Sequence, residues 1–372
     1  MTRVAAPDSA DAPRSAPSSA PAPRRVLRVL MVQAVVLVGL VAGLELAARL
    51  AGFGDRPRYE PSGELLWAPI PGQTTRNHVT CRRVTIDERG LRRVPGADDG
   101  PGRLQVLTLG NSVTFGYGLD DSETYQALMQ REMEAREPGR WRFLNGGVMG
   151  YNVYFERLRL KQLVSAGIRP DLVIVGYCFN DVPTWPGEHY PPADRARIVR
   201  SVRFKNLARS VGIYNFTVER LPTQQLFRFR NKFLPFGFGA GPQTGIPKPG
   251  PAADSSQAAP ADTSWRSDWF RFYRGQVART FATIDSLGIP AIAVIWPDPR
   301  HLGLRHHDTF EQVCRERGVP VVDMQPLVEG RTPAYFDPIH PEAETYRQLV
   351  DEAILPFFLE ESARADSAGA TR

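Results

Sequence analysis

A chain of 372 residues has room for one large or two modest domains at about 100–200 residues each. Its composition, 42% hydrophobic and 23% charged, is that of an ordinary globular protein with a sizeable core, while 33 prolines and 32 glycines imply long irregular stretches. The formal charge of +6 comes from arginines scattered between Arg3 and Arg372, with no basic block interleaved with aromatics, which argues against nucleic acid as a partner and fits solubility beside a membrane.

The three cysteines, Cys81, Cys178 and Cys314, have no CxxC spacing, so neither a zinc site nor a disulfide framework is indicated. Cys178 lies in an apolar strand pattern and reads as a small buried hydrophobe. Cys81 and Cys314 could pair in an oxidising compartment.

Residues 1–25 are mostly Ala, Pro, Ser, Asp and Arg, too poor in apolar surface to offset chain entropy, and are expected to form a disordered tail. Residues 26–50 are apolar from Val29 to Leu44 except for Gln33. That run approaches the roughly 20 residues needed to cross a bilayer if Arg28 and Arg49 reach the interfaces. Arg14, Arg24, Arg25 and Arg28 precede it, so the positive-inside rule puts the tail in the cytoplasm and the rest outside. The segment is read as a retained signal anchor. A signal peptide cut near residues 47–51 and a buried helix of the main domain are the alternatives.

Residues 51–103 read as a Pro-rich link followed by an antiparallel strand segment, VTCRRVTIDERGL over 79–91, turning at Glu88-Arg89-Gly90. From Leu104 a regular alternation begins. Strand 104–109 precedes a helix near 122–136, strand 141–145 a helix near 153–166, and strand 171–177 a long break. The rhythm resumes with a helix near 267–287 carrying Trp269, Phe272, Val277 and Phe281, strand 290–296, a helix near 305–317, strand 319–323 and a closing helix from Pro341. Five such strands predict an α/β domain over 104–360 with a parallel sheet covered on both faces. The insertion at about 182–264 combines aromatic and basic residues, Tyr214, Phe216 and Phe227 to Arg230, with a low-complexity stretch. Connections of that length are lids or spacers. Residues 361–372 form a flexible tail.

Ser112 stands in Gly110-Asn111-Ser112, just past the carboxyl end of the leading strand, where open α/β sheets bind ligands. A serine hydroxyl needs a base, and that base needs a carboxylate to set its tautomer. Asp337-Pro338-Ile339-His340-Pro341 follows the last strand, and its three-residue spacing lets the carboxylate reach Nδ1 while Nε2 faces outward; the prolines stiffen the turn. Oxyanion donors are sought at two more strand ends. Gly150 of Asn145-Gly146-Gly147-Val148-Met149-Gly150 could offer its backbone N–H, with Gly147 as second choice, and Asn180 could offer its amide. Taken singly, these residues also suit helix caps and turns.

In order, Gly110-Asn111-Ser112, Gly150, Gly176-Tyr177-Cys178-Phe179-Asn180-Asp181 and Asp337-Pro338-Ile339-His340 resemble the four sequence blocks of the SGNH (GDSL-like) hydrolases. The resemblance spans Leu104 to Phe358 apart from the insertion. It implies a flavodoxin-like three-layer α/β/α sandwich with strand order 2-1-3-4-5. It also implies Ser112 as nucleophile, His340 with Asp337 as acid–base pair, and the backbone N–H of Ser112 and Gly150 with the Asn180 side chain as oxyanion donors. Asn111 departs from the usual aspartate, keeping its shape without its charge. That position has no proton-transfer role, so activity is expected to survive.

Asp298, His301, His306, His307 and Asp308 crowd one span, but no HExxH spacing is present and a solvated loop is expected. Gly110, Gly116 and Gly118 lack the Gly-Lys-Ser/Thr of a phosphate loop, so no nucleotide and no other cofactor is expected. The expected function is ester hydrolysis on an acyl ester or acetylated glycan through an acyl-enzyme. Transfer of the acyl group to an extracytoplasmic polysaccharide, or a silent glycan-binding protein of the same fold, are the alternatives.

Overall fold

The computed structural model describes residues 23–77, 80, 82–178, 192–220, 264–297, 305–331, 333–337 and 339–369. Helix α1, Pro23–Ala48, is longer than its apolar heart, about 39 Å at 1.5 Å per residue, which exceeds a hydrocarbon core of about 30 Å. It is long and apolar enough to cross a membrane. A π-helical turn, Arg49–Phe53, continues it with Gly52 at φ 90°, a conformation glycine adopts without Cβ strain.

From Ala48 onward the chain forms one compact unit. Short strands β1, Tyr59–Glu60, and β2, Ala68–Pro69, pair antiparallel, as do β3, Gln73–Arg76, and β4, Arg83–Ile86. The stretch read as a link is therefore structured: Tyr59, Leu65 and Leu66 are buried with Val148, Tyr151 and Phe155. Strand β4 starts at Arg83, four residues beyond the expected start at Val79.

The main sheet consists of β5, Leu104–Gly110, β6, Trp141–Asn145, β7, Leu172–Tyr177, β8, Ala291–Ile295, and β9, Val321–Asp323, all parallel in the order β6-β5-β7-β8-β9. This is the 2-1-3-4-5 order. Alternate residues serve two cores, since side chains of a strand point to opposite faces. Val106, Phe143, Ile174 and Val294 pack on one side; Leu107, Leu144, Val173, Val175 and Ala293 pack on the other. Burial on both faces explains why these strands read as apolar runs rather than alternating ones.

Helices α2, Ser112–Phe115, α3, Tyr125–Arg136, and α4, Val153–Ser165, alternate with the first strands. The insertion contributes α5, Pro192–Arg209, and α6, Gly212–Arg220; its low-complexity part lies outside the described residues. Further α-helices among the described residues are α7, Ser264–Ser286, α8, Arg305–Glu316, α9, Ala343–Leu349, and α10, Leu355–Gly369. Val277 and Phe281 of α7 are fully buried, as expected. Helix α10 runs to Gly369, so residues read as a loose tail continue a helix. Cys178 is buried. Cys314 is a free buried thiol whose pKa burial pushes up to about 12; Cys81, its candidate partner, lies outside the described residues.

Candidate active site

The order reverses between β5 and β7, so the crevice at their carboxyl ends is the topological switch point where such sheets bind ligands. There Gly110 pairs with Gly176. A Cβ on Gly110 would stand 2.0 Å from Thr114 Oγ1, and one on Gly176 2.4 Å from the same atom. Two strand-end glycines thus let the short helix α2 sit directly on the sheet. Asn111 caps that helix, its Oδ1 accepting from Val113 N–H at 2.9 Å. Asparagine and aspartate are equivalent N-caps, so the departure at this position leaves the turn intact.

Ser112 is 6% exposed and His340 8% exposed. Ser112 Oγ lies 2.8 Å from His340 Nε2. On the other side of the ring, Nδ1 is 2.9 Å from Asp337 Oδ1 and 2.8 Å from Oδ2. A carboxylate accepts only, so in the neutral ring the proton sits on Nδ1 and the Nε2 lone pair faces the serine. The loop holding the pair closes on itself through an antiparallel bridge between Tyr335 and Pro341. Phe336 N–H donates to His340 C=O at 2.9 Å.

Asp337 Oδ1 also accepts the backbone N–H groups of Ile339 at 2.8 Å and His340 at 3.0 Å. Burial favours the neutral carboxyl, but the His340 hydrogen bond and charge, with the two backbone donors, outweigh it and hold the Asp337 pKa below the ordinary carboxylate range. Tyr117, which the sequence did not single out, lies against the imidazole with ring centroids 4.3 Å apart and planes at 43°. Only the fold reveals it, since 223 positions separate Tyr117 from His340.

The second block is built around Asn145, fully buried at the end of β6. Its amide donates to Thr114 C=O and Phe115 C=O at 3.3 Å, and its Oδ1 accepts from Gly147 N–H at 3.0 Å. The N–H of Gly147 is thereby taken. A Cβ there would stand 2.5 Å from Phe115 N and 2.9 Å from Thr114 C. Gly147 thus serves close packing on the serine helix, and Gly150 is the freer donor: it lies at φ 79° and no backbone acceptor among the described residues takes its N–H. Asn180 lies outside the described residues, as do Asp298 and His301. Of the remaining polar cluster, His307 Nε2 is 3.6 Å from Asp323 Oδ2.

Gly147→Ala is expected to cost about 1–3 kcal/mol, because the methyl meets backbone that cannot rotate away. A lowered thermal midpoint with lowered turnover would register it. An unchanged midpoint would mean that the serine helix yields at no cost.

Beneath the serine turn, Arg92 is wholly buried. Its backbone bridges antiparallel to Asn145 at the sheet edge. Its Nη1 donates to Phe115 C=O at 2.7 Å and Gly116 C=O at 2.6 Å, and its Nη2 donates to Leu119 C=O at 2.7 Å. Its Nε lies 3.4 Å from Asp121 Oδ1. Burial lowers the Arg92 pKa and raises that of Asp121, each opposed by attraction to the other. Tyr346 Oη completes the support, donating to Val113 C=O at 2.5 Å.

A doubly wound parallel sheet in the order 2-1-3-4-5 defines the class of flavodoxin-like α/β sandwiches, and in this chain serine, histidine and aspartate are hydrogen-bonded in line at its carboxyl edge. Within that class the chain belongs to the GDSL-like lipase/acylhydrolase family, whose model matches residues 108–348. Among solved structures it is similar to a two-domain esterase active on acetylated mannans, at 15% identity and a TM-score of 0.39 over 70% of this chain and 49% of that one. The chain thus spans about half the length of that esterase. A variant of an acetyl xylan esterase from Geobacillus stearothermophilus matches at 15% identity and a TM-score of 0.38, over 67% of this chain and 92% of that one. An α/β hydrolase from the metagenome of Lake Arreo, Spain, matches at 17% identity and a TM-score of 0.38, over 66% and 91%. No curated protein matches the chain.

Proposed function

We propose that the protein is a serine-dependent carboxyl-ester hydrolase acting through Ser112, His340 and Asp337. The observation that carries this reading is the unbroken line of hydrogen bonds from Ser112 Oγ to His340 Nε2 and from Nδ1 to Asp337. Ser112 Oγ attacks the acyl carbonyl as His340 Nε2 takes its proton, and Asp337 steadies the imidazolium. The tetrahedral oxyanion is received by the backbone N–H groups of Ser112 and Gly150, with the Asn180 amide as third donor. His340 returns the proton to the departing alcohol, leaving an acyl-enzyme. Water then attacks with the same base, and the acid is released.

Acyl and acetyl esters, acetylated glycans among them, are the substrates to assay. We take α1 to be a retained anchor and the hydrolase domain, about 104–360 with its insertion, to lie outside the cytoplasm, on the strength of the arginines preceding the apolar run.

The test uses the full chain in detergent with a fluorophosphonate probe. One adduct is expected, located on Ser112 by peptide mass, slowed severely in His340→Ala and absent in Ser112→Ala. Labelling that survives in a folded Ser112→Ala protein would remove the nucleophile from this reading. Product analysis with and without a glycan acceptor then separates hydrolysis from acyl transfer.

A further inference from the structure

Helices α5 and α6 turn apolar side chains outward where a solvated face would be polar. Phe204 is 54% exposed and Leu207 67% exposed. They lie three residues apart on one face of α5, which begins an apolar stripe; exposed Val211 follows in the turn between the two helices, and exposed Tyr214 and Phe216 sit on α6. Single exposed apolar residues need no explanation, but a contiguous set marks an interaction surface. The sequence of α5 carries Arg195, Arg197, Arg200, Arg203, Lys205 and Arg209 against one acid, Asp194, and Arg200 and Arg203 are exposed beside the stripe. Basic and aromatic residues on one face are the signature of helices that lie in a lipid interface.

A second observation names the occupant. Helix α6 is fastened to residues 49–53, the turn that continues the membrane-crossing helix. Phe216 and Phe53 meet edge to face with centroids 5.2 Å apart, Asn215 Nδ2 donates to Phe53 C=O at 2.8 Å, and Arg49 Nη2 donates to Ser210 C=O. Leu50, in the same turn, is 81% exposed. A bilayer crossed by α1 therefore begins within a few residues of this face along the chain.

We infer that the outer face of α5 and α6 rests on the surface of an anionic phospholipid bilayer, Phe204, Leu207, Val211 and Phe216 entering the acyl boundary while Arg200 and Arg203 meet headgroup phosphates. This rests on the anchoring of α1 proposed above. The inner face of α5, Ile198 and Val202, packs with Tyr59, Val148 and Tyr151, which flank Gly150. Lipid contact on one side of α5 thus holds the proposed oxyanion strand end close to the bilayer, and ester substrates reach the serine at the membrane surface rather than in bulk solution.

The test is spin-label accessibility on the full chain in nanodiscs of phosphatidylcholine and phosphatidylglycerol, in a Cys81→Ser background whose other thiols, Cys178 and Cys314, are buried. Labels go singly at Leu207→Cys, at Val38→Cys in the anchor, and at Leu287→Cys, an exposed site near the opposite, amino-terminal edge of the sheet. A label at 207 that collides with oxygen several-fold more, and with a water-soluble nickel chelate several-fold less, than the label at 287 is the expected result. If 207 is open to nickel while 38 is lipid-buried, the docking is wrong and the anchor stands. If 207 is shielded from both reagents, a protein surface such as a second copy covers the stripe, and the lipid assignment falls. If 38 is also open to nickel, the anchor fails, and the docking with it.

Discussion

Ser112→Ala is expected to lower turnover of a short-chain aryl ester by about 10 000-fold or more, since removing the nucleophile of such a site costs nearly as much as removing the whole set. The folded state should hardly notice. Ser112 contributes one hydroxyl, hydrogen-bonded to His340, at a site whose shape is held by Asn111, Asn145, Arg92 and Tyr346. Thermal unfolding of the variant should therefore match the parent. Undiminished turnover in a folded Ser112→Ala protein would leave the chemistry to some other residue.

Asp337→Asn sharpens the same result, because it separates charge and tautomer from geometry. The asparagine oxygen can still accept from Ile339 and His340 N–H, so the loop keeps its turn. Its amide N–H₂ then stands where Oδ2 faced Nδ1, which favours the ring in which Nδ1 accepts, although Oδ1 stays 2.9 Å from that nitrogen. In that tautomer the ring proton is on Nε2, and the lone pair proposed to take the serine proton is gone. A loss of about 10 000-fold in kcat is expected where a carboxylate sets the tautomer, with little change in KM or in thermal midpoint. Equal losses of activity and stability would instead make Asp337 a brace of the loop.

The second large effect lies below the site. Arg92→Met is expected to destabilise the fold by about 3–5 kcal/mol, the range for breaking a buried ion pair from one side. Three carbonyls, those of Phe115, Gly116 and Leu119, lose charged donors, and buried Asp121 loses its buried cationic partner, keeping among the described residues only the Thr85 N–H and the exposed Arg83, whose Nε is 3.7 Å away. Methionine fills similar volume, so cavity formation contributes little. Urea unfolding should show the shift in midpoint. Arg92→Lys should recover only part of it, because an ammonium cannot present the planar fork that reaches three acceptors and a carboxylate. Arg92→Met combined with Asp121→Asn should be more stable than the Arg92→Met single variant, which a double-mutant cycle reads directly. A midpoint within error of the parent would show that the serine turn holds its shape without the arginine.

The variants in the triad and the one at Arg92 draw on different layers of information. Ser112, Asp337 and His340, the proposed triad, were legible as residue types at strand ends, because serine-based hydrolysis would demand such functional groups and an α/β sheet delivers side chains to one edge. The five strands were legible for a related reason: burial on both faces leaves uninterrupted apolar runs of strand length, and the helices between them repeat at a different period. The sequence ranked Gly150 ahead of Gly147 but gave no physical ground for excluding either, since both are glycines in one turn. The Asn145 side chain separates them by taking one N–H. Arg92 carried no signal at all, being one of many arginines, and only antiparallel pairing at the sheet edge brings it under the serine turn. Before the domain, the alternation over 79–91 was legible and β4 lies within it, whereas β1, β2 and β3 carried no readable period; pairing and burial against distant residues make them structure. Outward apolar residues on α5 gave no signal in the sequence, which records hydrophobicity but not which way a helix is turned. The sequence by itself determined the chemistry on offer and the order of the layers; tertiary structure decided which donors are free, which charge is buried and which face is left uncovered, because each of those depends on a neighbour far away in the chain.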